Sequence, residues 1–125
     1  MGMDMETETG NFRFRPADRL RLTRDFDAAL RQGFRAAGSL LSLRARANGL
    51  DRSRLGLSAG RGAGIAVARN RFKRLAREAF RLNRAKLPAG WDFVVAPRGR
   101  IPAGLSLAAV EKELVELAQK ACRLP

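Results

Sequence analysis

The residues best suited to chemistry in this chain are arginines and lysines at helical spacing between Arg69 and Lys86. This stretch holds eight basic residues and one acid, Glu78. A helix turns by about 100° per residue, so the apolar residues from Phe72 to Leu82 fall in one arc of roughly 160°, and basic residues fill most of the opposite arc. Guanidinium groups in a row on a rigid helix are suited to binding phosphates through paired hydrogen bonds.

This helix has two other interpretations. Many charge runs are only a solvated surface, and basic amphipathic helices also bind membranes or calmodulin. A solvated helix normally mixes acids with bases four residues apart, whereas residues 74–84 bring like charges together with little compensation. The small residues Ala76 and Ala79 of the apolar arc suit close packing within a protein. The pattern therefore favours a nucleic-acid face.

Composition points the same way. The chain has 125 residues and a net charge of +13, and 21 of its 25 basic residues are arginines. That length predicts one domain, residues 12–125, preceded by a disordered acidic tail at residues 1–11. A strongly positive domain attracts nucleic acid, with an affinity that falls steeply with salt. The chain has no apolar run of the roughly 18–20 residues that cross a membrane, so we expect no membrane contact and a cytoplasmic location.

Self-contained catalysis has little support. The chain has no histidine and a single cysteine, Cys122, which excludes an internal disulfide and a histidine-based catalytic set. Among the acids of the predicted last helix, Glu113 and Glu116 are predicted on its solvated side, and Glu111 borders its apolar arc. The glycines of residues 60–64 lack the Lys-Ser/Thr ending of a phosphate-binding P-loop. We therefore predict no catalytic residue and no metal ligand in the protein.

Hydrophobic patterning predicts the elements that position these residues. Thr23 is a candidate N-cap for a helix over residues 24–32 that ends at Gly33. Alternation over residues 39–47 and 54–59 predicts two strands, which the Asn48-Gly49 turn suggests are an antiparallel pair. The basic helix runs to about Lys86 and is followed by a strand at 91–96, so these form a βαβ unit with parallel strands. Ser106 is predicted to cap a final helix. These elements indicate an α+β domain of helices on a small sheet.

Phe26, with Leu30 one turn later, has two possible roles. It can fill the core between helix and sheet, or it can be a partly exposed platform on which a single-stranded base stacks. Apolar residues at helical spacing are usually core residues, so composition alone favours core packing.

At residues 66–81 the chain resembles the bacterial ribonuclease P protein family. The segment reads AVARNRFKRLAREAFR, which follows the family pattern of Ala-Val-x-Arg-Asn-Arg-x-Lys-Arg without a gap. Asp25-Phe26 and Leu55-Gly56-Leu57-Ser58 upstream, and DFVVAPR at residues 92–98, support the resemblance. It extends from about Arg19 to Leu117.

The resemblance implies a fold and a function. The fold is an α-β-β-β-α-β-α sandwich with a small mixed sheet and a left-handed βαβ crossover, of the kind found in the second domain of a small-subunit ribosomal protein. The function is that of a protein subunit, one copy per catalytic RNA subunit. It helps that RNA remove the 5′ leader from precursor tRNA, an endonucleolytic hydrolysis that uses Mg²⁺ held mainly by the RNA.

The resemblance also implies which residues bind RNA. Those implied to contact the RNA subunit are Arg69, Asn70, Arg71, Lys73, Arg74, Arg77 and Arg81. Those implied to contact the leader or tRNA are Phe26, Leu30, Arg24, Arg44, Arg61 and Arg98. Leu30 and Leu43 stand where the family often has aromatic residues, which predicts weaker stacking on the leader. The alternative interpretation is a ribosomal or other structural RNA-binding protein, because small basic α/β proteins of the ribosome share this charge and topology.

Overall fold

The computed structural model of the protein describes residues 16–123; the predicted acidic tail at residues 1–11 lies outside the described residues. Seven helices and strands follow one another in the order α-β-β-β-α-β-α. These elements are α1 (Thr23–Gln32), β1 (Phe34–Ala37), β2 (Leu41–Ala47), β3 (Arg54–Leu57), α2 (Ala66–Leu82), β4 (Trp91–Pro97) and α3 (Leu107–Arg123). This confirms the predicted mixed α+β fold, including the short strand β1 that patterning alone did not indicate.

The four strands form one mixed sheet in the order β1-β2-β4-β3. Strand β4 pairs antiparallel with β2 and parallel with β3, which confirms the predicted βαβ unit. The predicted antiparallel pairing of segments 39–47 and 54–59 is wrong, because β4 lies between them. Four consecutive residues of β4, from Asp92 to Val95, are buried. A strand covered on both faces belongs in the interior of a sheet, which explains its position between β2 and β3.

Helices α2 and α3 cover one face of the sheet and enclose the main core. The larger fully buried side chains of this core are Phe72, Phe80, Phe93, Leu41, Leu43, Leu114, Val95 and Val110. On the other face, Leu20 and Ala29 pack with Val94, and Phe26 packs partly against them. The sheet therefore has a fully covered face and a second face that α1 covers only in part.

The helix ends agree only partly with the predicted caps. Ser106 caps α3 as predicted, accepting a hydrogen bond from the Ala109 N–H at 3.2 Å. The Thr23 cap is wrong, since Thr23 is already helical and Leu22 precedes the helix without a side-chain cap. Helix α2 ends at Leu82 and not near Lys86, because the buried Asn83 donates from its amide to the Ala79 carbonyl and to Glu111 Oε1, both at 2.9 Å. A 3₁₀ turn, Arg84–Lys86, follows.

Glu113 does not lie free in solvent as predicted. Its carboxylate accepts hydrogen bonds from the backbone N–H groups of Leu40, at 3.0 Å, and Leu41, at 2.8 Å. The turn between β1 and β2 is thereby fastened to α3, and a Cβ on Gly38 would stand 2.4 Å from Glu113 Oε1. Cys122 is half-buried, and burial raises the pKa of its thiol to about 11. None of the helices between residues 16 and 123 is long and apolar enough to span a membrane.

Candidate nucleic-acid interface

The basic face of α2 is divided into an outward part and a part that turns toward α1. Asn70, Arg71 and Arg74 are exposed, and we call these three residues the ridge. Arg74 lies four residues after Asn70 and three after Arg71, which places the three side chains along one side of the helix. Within residues 16–123, neither Arg71 nor Arg74 forms an ion pair with an acid. The ridge therefore presents two guanidinium groups to solvent on a rigid support.

Lys73 and Arg77 lie on the flank of α2 that faces α1. They line a cleft of about 210 Å³ between α1, β3 and α2. The remaining lining residues of this cleft are Arg19, Leu20, Phe26, Leu55, Gly56 and Leu57. An apolar floor with three cations at its rim can hold a base by stacking and the adjacent phosphates by charge.

Phe26 approaches the sheet closely because β3 has a glycine beneath it. A Cβ on Gly56 would stand 2.7 Å from Cε2 of the Phe26 ring. The ring is half-buried, packing against Leu20 while also lining the cleft. The two roles considered for Phe26 are therefore compatible: one part of the ring fills the small core, and the rest is accessible. Stacking on a leader base stays a prediction.

The other predicted leader residues are spread over several elements of the fold. Leu30 lies one turn after Phe26 and is 38% exposed. Arg24 is exposed on α1, whereas Arg44 is half-buried on the same sheet face as Val94. Arg98 lies past the end of β4 and donates to the Gly38 carbonyl at 2.9 Å. It is four residues from Val94, roughly 13 Å along the strand. Arg61 lies in the 3₁₀ turn before α2. The structure does not bring Arg61 and Arg98 to the Phe26 end of the cleft.

Leu43 cannot take part in stacking. It is fully buried in the main core, on the sheet face covered by α2 and α3. Its neighbour Arg44 is on the opposite face, because successive side chains of a strand alternate. The expectation that Leu43 affects stacking on the leader is therefore wrong.

Three basic residues predicted to contact the RNA subunit, Arg69, Arg77 and Arg81, differ in their surroundings. Arg81 donates from Nε to Glu78 Oε1 at 2.6 Å, and this hydrogen bond lowers the pKa of Glu78 and raises that of Arg81. Arg69 is half-buried in the first turn, with its Nε shielded from solvent. The pKa of Arg77 is lowered, mainly by burial and further by repulsion from Arg19 and Arg74.

Sequence reasoning missed two arginines that belong to this surface. Arg19 lines the cleft beside Arg77, and Arg35 lies directly opposite Arg44 in the antiparallel β1–β2 pair. Like charges at such a cross-strand position are unfavourable. The position of Arg35 opposite Arg44 is revealed only by the strand register. Arg19 was visible in the sequence, but only as part of a basic run. A small basic α+β domain with an arginine ridge beside a partly apolar cleft is typical of proteins that bind RNA.

Comparison with known proteins identifies the family. The model of the Ribonuclease P family matches residues 14–122. The ribonuclease P protein component of Thermotoga maritima is 42% identical over 88 residues, covering 70% of this chain and 75% of that protein. The one from Syntrophobacter fumaroxidans is 39% identical over 109 residues, covering 86% and 91%. The chain belongs to the ribonuclease P protein family.

Solved structures agree with this assignment. The RNase P protein from Thermotoga maritima superposes with a TM-score of 0.72 at 35% identity, covering 82% of this chain and 96% of that one. The Staphylococcus aureus RNase P protein gives a TM-score of 0.71 at 26% identity, covering 83% and 94%. The structural likeness spans most of the chain, and the residues matched by the family model include both the ridge and the cleft.

Proposed function

We propose that this protein binds the catalytic RNA subunit of ribonuclease P and assists removal of the 5′ leader from precursor tRNA in the bacterial cytoplasm. One observation carries the proposal: α2 presents its ridge outward and its other basic flank to a half-apolar cleft. A single helix can thus contact two RNA strands, the RNA subunit along the ridge and the leader in the cleft. Membership of the family supports both assignments.

The protein's part in the reaction is to bind and to orient. Arginines on the ridge would neutralise phosphates of the RNA subunit and so reduce repulsion between that RNA and the precursor. Phe26 would stack on a leader base. Lys73 and Arg77, which the resemblance assigns to the RNA subunit, would instead contact the leader phosphates beside that base, because both line the cleft. Three acidic groups of the fold are engaged by other parts of the protein: Asp92 by Arg54, Glu113 by the backbone of β2, and Glu78 by Arg81.

Bond cleavage is assigned to the RNA subunit. Mg²⁺ supplies the Lewis acid and the activated water for phosphodiester hydrolysis in this class of reaction. Across residues 16–123, no three His, Cys, Asp or Glu side chains are grouped to hold a metal ion. The proposal accordingly places the ion on the RNA and gives the protein no ligand to it.

Reconstitution tests the function. The purified protein is added to the cognate RNA subunit at low Mg²⁺, and leader removal from precursor tRNA is followed in time. We expect cleavage to be faster with the protein than with the RNA alone, and no cleavage by the protein alone. A protein that leaves the rate of the RNA unchanged, or that copurifies with ribosomal subunits in place of the processing RNA, contradicts the proposal and favours a structural role in the ribosome.

A further inference from the structure

Arg19 lies where two surface hollows meet. It lines the cleft together with Phe26 and Arg77. It also lines a second hollow of about 250 Å³ on the flank of α2, which we call the junction hollow. The junction hollow is lined by Arg19, Arg74, Arg77, Glu78 and Arg81. Arg19 and Arg77 are thus shared by the cleft and by the hollow that opens toward the ridge.

The backbone at Arg19 is held in place as a continuation of the sheet. Arg19 forms a parallel bridge with Leu55 of β3, and the N–H of Leu20 donates to the Leu55 carbonyl at 3.0 Å. The preceding 3₁₀ turn is fastened by Asp18, whose two carboxylate oxygens each accept from Arg84 at 2.9 Å. The base of the Arg19 side chain is therefore positioned before any ligand binds, which lowers the entropic cost of using it.

Charge around the junction hollow is unbalanced. Arg77 is partly buried and is repelled by Arg19 and by Arg74. Among the described residues that line the hollow, Glu78 is the one acid, and Arg81 donates to it at 2.6 Å. Three guanidinium groups facing one space raise the free energy of the unbound protein, and an anion that accepts hydrogen bonds from them relieves this repulsion. A phosphodiester has the charge and the acceptor oxygens for this role.

We propose that Arg19, Arg74 and Arg77 form one binding site for a backbone phosphodiester of RNA, at the point where the cleft meets the ridge. The inference rests on the proposed function and extends it, because it makes Arg19 a binding residue and joins two surfaces otherwise regarded as separate. The phosphate belongs either to the leader as it leaves the cleft or to the RNA subunit beside the ridge, and the two sources give different results in binding assays.

The test compares Arg19→Ala with Arg123→Ala, which removes an exposed arginine from the last turn of α3. One assay measures the affinity of the protein for the RNA subunit against salt concentration. The other measures the affinity of the reconstituted holoenzyme for precursor tRNA, and for the same tRNA without its leader. Loss of one phosphate contact lowers the salt slope by about 0.8 and the affinity at 0.1 M salt by about sixfold. R123A is expected to change neither.

The assay that responds identifies the strand. A loss confined to precursor tRNA with its leader assigns the phosphate to the leader, and a loss in the first assay assigns it to the RNA subunit. Arg19→Lys should regain most of the salt slope, since it restores the charge. The double variant R19A/R77A should lose less than the product of the two single losses, because both residues hold the same phosphate.

Two results would overturn the inference. One is that R19A binds as well as R123A in both assays. The other is that the affinity loss of the double variant R19A/R77A equals the product of the losses of R19A and R77A. Thermal unfolding of each variant checks the fold, and Arg19→Gln, which keeps the aliphatic stem, replaces R19A if the alanine variant is destabilised. Failure of the wild-type protein to bind the RNA subunit at all would instead refute the proposed function.

Discussion

Arg54 in β3 and Arg71 on α2 carry the same side chain but lie in opposite surroundings. Arg54 is a paired arginine: it donates from Nε and Nη2 to the two oxygens of the fully buried Asp92, both at 2.8 Å, and it approaches Asp25 of α1 at 3.5 Å. Arg71 projects from the ridge with no acid beside it in the described part of the chain. The hydrogen bond to Asp92 raises the pKa of Arg54.

The difference shows that positive charge has two separate uses in this protein. Arg54 and Arg84 hold buried carboxylates. Arg54 joins β3 to β4 and also approaches α1, and Arg84 joins the 3₁₀ turn after α2 to the 3₁₀ turn before α1. The guanidinium groups of Arg71 and Arg74 are available to donate hydrogen bonds to a ligand. Changes to the first group should affect folding and changes to the second should affect RNA binding, and three predictions separate these effects.

The largest effect is expected from breaking the pair between Arg54 and Asp92. The change Asp92→Asn removes the charge that compensates Arg54 and also disturbs the bond from the Asn48 amide. Breaking a buried ion pair on one side costs about 3 kcal/mol, near the lower limit because Arg54 is partly exposed. Denaturant unfolding measures it, and Asp51→Asn at an exposed site is the control. A loss below about 1 kcal/mol would mean that the pair is no more than a surface contact.

The next largest effect is expected on the ridge. In Arg71→Ala/Arg74→Ala, two phosphate contacts are lost, so the salt slope for the RNA subunit should fall by about 1.6 and the affinity at 0.1 M salt by about 40-fold. The free energy of unfolding should change by less than about 0.5 kcal/mol, because both side chains are exposed.

Lys112→Ala/Lys120→Ala is the matched control for the ridge, since it removes two exposed charges from α3. Equal losses of affinity in the two double variants would reduce the role of the ridge to that of general positive charge. A large loss of stability in the ridge variant would show that Arg71 and Arg74 resemble Arg54.

The smallest effect is expected at Arg81. This arginine is intermediate between the paired arginines and the ridge, because it has an acidic partner, Glu78, whose side chain is 40% exposed. The hydrogen bond from Arg81 lowers the pKa of Glu78, so the pair stabilises the fold above the unfolded-state pKa of about 4.3, and this contribution disappears as pH falls through the lower folded-state pKa. Solvent screening limits it to about 0.3 kcal/mol.

Glu78→Gln should therefore cost about 0.3 kcal/mol at pH 7 and nothing at a pH below both pKa values. The same change should increase affinity for the RNA subunit, since it removes the one acid among these basic residues and releases Arg81. Unfolding at the two pH values and RNA titration measure the two effects. Weaker RNA binding by this variant would show that Glu78 orients Arg81 for its ligand.

Local periodicity predicted the helices and strands well, but it did not predict which strands are neighbours in the sheet. The apolar arc of α2 and the alternation of β2 were predicted correctly, because each records burial of one face within a few residues of sequence. The pairing of β2 with β3 was predicted wrongly from a turn signal, because the interior position of β4 depends on burial of both its faces. Leu43 was expected to affect stacking on the leader because of the family resemblance, whereas the register of β2 turns it into the main core.

The order of residues along the chain is enough to show that one helix carries an apolar face opposite a basic one, that the domain is α+β, and to which family the chain belongs. The role of each arginine, in contrast, depends on its neighbours in the folded protein. Arg54 pairs with Asp92, 38 residues away in sequence, and Arg84 pairs with Asp18, 66 residues away. The bridge between Arg19 and β3 places Arg19 in the cleft that Arg77 also lines. Such partners come together only when the chain closes on itself, because an ion pair depends on distance in space and leaves no periodic trace in the sequence.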